Sequence, residues 1–183
     1  MIHPDKIFGR LGNRMFQGAY LYAQMKRGEI PDIYVQDPKY FDDYRDDIRR
    51  LYGEGIIKTD YVAIHVRRGD YVDNPFYVDL TKSTYYAQAI CHFPIDTKFL
   101  VFSDDIEWCK ENMKMVGTDI EYCEEKDEIK SLNLMAGCKG IIMANSSFSF
   151  WGAYLSNAKV IAPKAWYSDG IERTKCLPEW KQI

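Results

Sequence analysis

Five short apolar runs separated by helical patterns constrain this chain more than any other feature in it. "YVAIHV" (61–66), "FLVFS" (99–103), "IEYC" (120–123), "GIIMAN" (140–145) and "KVIAP" (159–163) are rich in β-branched and aromatic residues, and each has the length of one strand. In "DEIKSLNLMAGC" the residues Ile129, Leu132, Met135 and Ala136 fall on one helical face; "STYYAQAICHF" and "IEWCKENMKM" read similarly. Strands alternating with helices predict an α/β fold with a parallel sheet covered on both sides.

An open sheet of that kind binds ligands at the carboxyl ends of its strands. "YVAIHV" delivers Arg67 and Arg68 to such an end, and "FLVFS" delivers Ser103, Asp104 and Asp105 to another. "GIIMAN" delivers Asn145, Ser146 and Ser147 to a third, just before "FSFWGAYL", which reads as a helix capped by serine. A helix N-terminus favours an anion, and an arginine fork beside it adds paired, charge-assisted hydrogen bonds suited to phosphate. Acids at a neighbouring strand end accept hydrogen bonds from a base or ribose. Each cluster alone is more often a surface ion pair, a turn or a helix cap. Their joint placement after apolar strands describes a nucleoside diphosphate site.

The remaining features mostly exclude. A net charge of -3 gives no global basic field for nucleic acid or acidic membranes, so an anion site must be local. The N-terminus "MIHPDKIFGR" has no apolar stretch long enough for a signal peptide, and no window approaches a membrane span. Cys91, Cys109, Cys123, Cys138 and Cys176 are odd in number and lack CxxC spacing, which reads as reduced core thiols in a cytoplasmic protein. Three scattered histidines without HExxH argue against a built-in metal. Arg68–Asp70 spells RGD and Asn145–Ser147 fits a glycosylation sequon, but strand-end positions suit neither adhesion nor modification. At the front, "FGRLGNRMFQGAYLYAQ" leads into a helix with Phe16, Ala19, Tyr20 and Ala23 on one face. There Gly12 permits a close backbone approach and Asn13 is placed to cap the helix. The stretch is neither GxGxxG nor a P-loop.

"GRLGNRMFQGAYLYA", "AIHVRRGDYV", "LMAGCKGIIMANSSFSFWGAYLSNAKVIAPKAWY" and "LPEWKQI" together resemble the α-1,2-fucosyltransferases of glycosyltransferase family 11, over residues 9–23 and, with gaps, 61–183. The resemblance implies a GT-B-like, metal-independent enzyme that transfers L-fucose from GDP-β-L-fucose to the 2-hydroxyl of a galactose-terminated glycan with inversion. It implies that Arg67 holds the β-phosphate, His65 lies near the nucleotide and Asp104 approaches the guanine. Ser146, Ser147 and Phe148 would line the phosphate and sugar side, with Arg10 and Asn13 facing the cleft from the N-terminal lobe. Asp70, beside two arginines, is either the base that takes the acceptor proton or a locked ion-pair partner. The family's long N-terminal half is here reduced to the segment between "GNRMFQ" and "HVRRGDY". The expected division is a reduced acceptor-side lobe over 1–58 and a GDP-sugar-binding Rossmann-like domain over 59–183. Three outcomes fit that reduction: the small lobe suffices, a second subunit of a homodimer completes the cleft, or the chain binds GDP-sugar without transfer.

Overall fold

The computed structural model describes residues 9–27, 36–113 and 118–183. All five apolar runs are strands: β1 (Val62–Val66), β2 (Lys98–Ser103), β3 (Asp119–Tyr122), β4 (Gly140–Ile142) and β5 (Lys159–Ala162). A sixth, β6 (Lys181–Gln182), lies within "LPEWKQI" and is too short for periodicity to reveal. The order is β3-β2-β1-β4-β5-β6 with every neighbouring pair parallel. The chain builds outward from β1 in one direction, then returns to build from β1 in the other. This α/β, Rossmann-like sheet therefore has its topological switch point between β1 and β4.

Strand alternation assigns the two faces. Val62, Ile64 and Val66 pack with Tyr85, Tyr86 and Ala89 of α3 (Tyr85–Ile90) and with Cys109 of α4 (Ile106–Asn112). Ala63, Leu100, Phe102, Ile141 and Met143 face the opposite core, shared with α5 (Glu128–Gly137) and α6 (Ser147–Leu155). Leu132, Met135 and Ala136 of α5 are buried as the pattern requires. Ile129 departs from it at 58% exposure, because the first turn, residues 128–130, stands in solvent.

The N-terminal elements are α1 (Leu11–Arg27), two single 3₁₀ turns (Pro38–Tyr40 and Asp42–Tyr44) and α2 (Arg45–Tyr52). Among the described residues before β1 there is no strand. These helices share the α6 core: the Phe16 ring lies 4.5 Å from Phe150 and 5.1 Å from Trp151, and Phe41 stacks on Trp151 at 5.7 Å. Arg49 seals the contact by donating to the Tyr154 and Ser156 carbonyls at 2.8 and 3.0 Å, capping the end of α6. Residues 9–27 and 36–52 thus form a helical layer on α6. The resemblance also implies that the family's first strand is nearly absent here, since "HPDK" precedes only Ile7 and Phe8; these residues lie outside the described ones. No described helix is long and apolar enough to cross a membrane, and all five cysteines are free.

Candidate active site

A cleft of about 1060 Å³ opens over the carboxyl ends of the strands, bounded on one side by the start of α1. It is lined by Arg10, Gly12 and Asn13 from the front, His65 within β1 with Arg67 and Asp70 after it, Ser103 at the end of β2 with Asp104 after it, and Ser146, Ser147 and Phe148 after β4. The fold thus gathers residues scattered over most of the chain at the switch point, where α/β ligand sites lie.

Arg67 is the electrostatic centre. Its side chain is only 12% exposed. Nη1 donates to Asp104 Oδ2 at 2.6 Å, and Nη2 donates to Asp70 Oδ1. Asp104 is further held by the Arg68 backbone N–H at 2.9 Å and faces Arg10 Nη1 at 3.9 Å. Asp70 is thus an ion-pair partner of Arg67 here. His65, the inward residue of β1 on the α6 face, is buried against Phe148, with ring centroids 5.5 Å apart. Burial, with the Arg67 guanidinium alongside, pushes its pKa down to about 3, so the imidazole is neutral. Its Nδ1 is buried without a hydrogen-bond partner among the described residues.

The amino end of α6 faces the same space. Ser146 caps it, its hydroxyl accepting from Phe148 N at 3.3 Å. Gly12 sits against the Ser147 backbone; a Cβ there would meet the Ser147 carbonyl carbon at 2.6 Å, so only glycine lets α1 and α6 approach this closely. Asn13 is not the helix cap that its position in "GRLGN" suggests. It lies inside the first turn of α1, and its Oδ1 accepts from Ser147 Oγ at 2.9 Å and from Gln36 Nε2 at 3.0 Å. The chain of bonds continues through Gln36 Oε1, which accepts from Thr174 Oγ1 at 2.9 Å, to the Tyr167 hydroxyl at 3.2 Å. Asn13 therefore clasps α1, α6 and the segment after β5 together.

Three residues expected at the site, Arg68, Asn145 and Asp105, lie outside the cleft lining. Arg68 turns away: its guanidinium covers the Trp108 ring at 3.7 Å, and Nε lies 3.7 Å from Asp105 Oδ2. Asn145 is buried and donates to the Val78 and Trp166 carbonyls, both at 2.9 Å. It ties the loop after β1 to the segment after β5. Asp105 caps α4, accepting from Trp108 N at 3.3 Å. The motifs also missed two parts of the lining. Cys123, Glu124, Glu125 and Lys126 follow β3, where the strand-end rule applied to "IEYC" would have found them. Tyr71, Phe76, Tyr77, Tyr167 and Arg173 form an aromatic wall beyond β5 that no local pattern announces. Among the described residues, no group of three or more His, Cys, Asp and Glu side chains is placed to hold a metal ion.

A parallel Rossmann-like sheet that gathers an arginine and a helix amino end over one cleft at its switch point has the architecture of the α/β proteins that place their ligands at strand carboxyl ends. Residues 20–183 match the family described as Glycosyl transferase family 11, and the chain belongs to that family. Among similar curated proteins are an alpha-1,2-colitosyltransferase of Escherichia coli, 33% identical over 166 residues (77% of this chain, 57% of the relative). An O-antigen biosynthesis glycosyltransferase of Escherichia coli is 26% identical over 185 residues (86% and 61%). Human galactoside alpha-(1,2)-fucosyltransferase 1 is 32% identical over 139 residues (67% and 38%). The chain thus spans about half the length of the curated relatives it matches. No solved structure gives a significant match.

Proposed function

We propose that this chain transfers L-fucose from GDP-β-L-fucose to the 2-hydroxyl of a galactoside, inverting the anomeric centre. The observation that carries this reading is Arg67 at the end of β1 facing the amino end of α6 across the switch point, in a chain of this family. Inverting transfer proceeds through an oxocarbenium-like state while negative charge grows on the departing diphosphate. Arg67 and the first-turn amides of α6 stabilise that charge, so no resident metal is required and transfer should persist in excess EDTA.

The diphosphate draws the Arg67 fork away from its carboxylates. Asp104 Oδ2 then accepts from the N1–H and N2 amino group of guanine, with His65 Nδ1 as a further polar contact on the cleft floor. Asp70, released from the same fork and lying beside the aromatic wall, takes the acceptor proton. Colitosyl transfer is the second reading, favoured by the name of one relative. Incubating the chain with GDP-fucose, or with the corresponding colitose nucleotide, and a panel of β-galactosides tests both. A 2-linked fucosyl product is expected. Product from the colitose donor alone selects the second reading, and GDP binding without product from either donor contradicts transfer.

A further inference from the structure

The cleft is also lined by aromatic rings from the connection after β1 and the segment after β5, starting at Tyr71, whose ring lies 5.4 Å from the Arg67 guanidinium. Tyr71 and Tyr77 stack at 3.8 Å with planes 6° apart, and Phe76 and Tyr167 lie 5.1 Å from one another. The Arg173 guanidinium sits 5.0 Å from the Phe76 ring and 4.9 Å from the Tyr167 ring. Asp169 accepts from two Arg173 nitrogens at 3.0 and 2.7 Å, which keeps the guanidinium plane over the rings.

This wall is held rigid. Tyr77 and Tyr167 form an antiparallel bridge, Val78 N donates to the Trp166 carbonyl at 3.2 Å, and Ser168 N donates to the Phe76 carbonyl at 3.0 Å. Phe76 nonetheless remains 42% exposed. An exposed ring beside a guanidinium–carboxylate pair matches a pyranose, which has one face of C–H groups and a rim of hydroxyls. The C–H face packs on the positive-seeking π-face, and the hydroxyls reach charged partners at its edge.

Direction within the cleft supports the same occupant. A nucleotide sugar runs from base through diphosphate to sugar. With the base on the β2 side and the diphosphate at the switch point, the sugar and its acceptor must point toward β5. We propose that Phe76, Tyr167 and Arg173 form the acceptor platform, taking the apolar face of a terminal galactoside ring. The assignment moves the acceptor from the 1–58 lobe that the resemblance implies onto residues 59–183; it rests on the donor reading for its direction, but its test does not depend on donor binding.

Saturation-transfer NMR with methyl β-galactoside, with and without GDP, and a separate GDP titration are run on the full chain and its variants. Phe76→Ala and Arg173→Ala should weaken galactoside binding roughly five- to tenfold and leave GDP affinity unchanged, while Phe76→Tyr, which keeps the ring, should bind like the native chain. Both altered side chains are exposed, so the fold should survive. Galactoside binding that is absent from the native chain, or equal in all variants, overturns the platform. Loss that falls on GDP instead assigns the wall to the base and also overturns it. A native chain that binds galactoside through these residues but binds no GDP keeps the platform and removes the donor reading alone.

Discussion

The two ends of the cleft are built by different means. On the β2 side, charged and polar groups emerge directly from strand ends: Arg67 after β1 and Ser103–Asp104 after β2, fixed by ion pairs and backbone N–H groups. On the β5 side, aromatic rings come from two long connections that pair with each other through the Tyr77–Tyr167 bridge and the Asn145 clasp. Charge close to the sheet suits a constant diphosphate and base. A wall carried on connections can change its rings without disturbing the sheet, which suits a partner that varies. With the proposed donor and acceptor assignments, the difference predicts that the two ends of the cleft can be perturbed separately.

The largest expected separation comes from Arg67→Ala. Removing the fork should lower GDP affinity or turnover about a hundredfold and leave galactoside binding intact. Arg67→Lys should restore little, because a point charge cannot reproduce paired donors. Near-native GDP binding in either variant, measured by calorimetry, would take Arg67 out of the donor site.

Asn145→Ala probes the other end. It removes the side-chain donor to the part-buried Val78 carbonyl and one of the two donors to the buried Trp166 carbonyl, which keeps the Val78 N–H, at a cost of about 1–3 kcal/mol in stability. One tie between the two connections goes with it while their backbone pairing remains, so galactoside binding should fall modestly and by more than GDP binding. A urea denaturation series alongside both titrations separates these effects. Equal losses for the two ligands would mean that the ends of the cleft are not independent.

An effect seen only as a change of stability with pH attaches to His65, which faces both the core and the cleft. The unfolded chain protonates it below its ordinary value near 6.5, whereas the folded chain keeps it neutral down to about 3. Between those values the unfolded state binds the extra proton, so stability falls as pH drops, by up to about 1.4 kcal/mol per unit. His65→Gln should flatten that slope in urea denaturation across about pH 7 to 4. Parallel slopes for the native and variant chains would contradict a buried neutral imidazole.

The same contrast explains what the sequence reveals. Most strands are legible because they are short apolar runs buried on both faces, edge strand β3 being only partly covered, and Arg67, Asp104, Ser146 and Ser147 are legible because they follow such runs directly. The order β3-β2-β1-β4-β5 then brings them together without further information. Asn145 also follows a strand, yet it serves the backbone of distant segments, which neither composition nor spacing distinguishes from ligand binding. Arg68 is similar: its stacking on Trp108 depends on where α4 lies. Asn13 reads as a cap, but α1 begins two residues earlier, and its partners Ser147 and Gln36 are fixed by tertiary packing. The aromatic wall is hidden for the same reason, since Phe76 and Tyr167 meet only through a long-range pairing.

The most direct test of the donor site is a calorimetric titration of GDP and ADP into the native chain and into Asp104→Ala. Guanine presents N1–H and N2 donors to the Asp104 carboxylate, whereas adenine presents a mismatched edge and leaves a charged group unpaired. GDP should bind at least about tenfold more tightly than ADP to the native chain. In Asp104→Ala that gap should shrink while most of the diphosphate affinity remains, because Arg67 and the α6 amino end are untouched. Equal binding of GDP and ADP by the native chain would contradict guanine recognition on the β2 side.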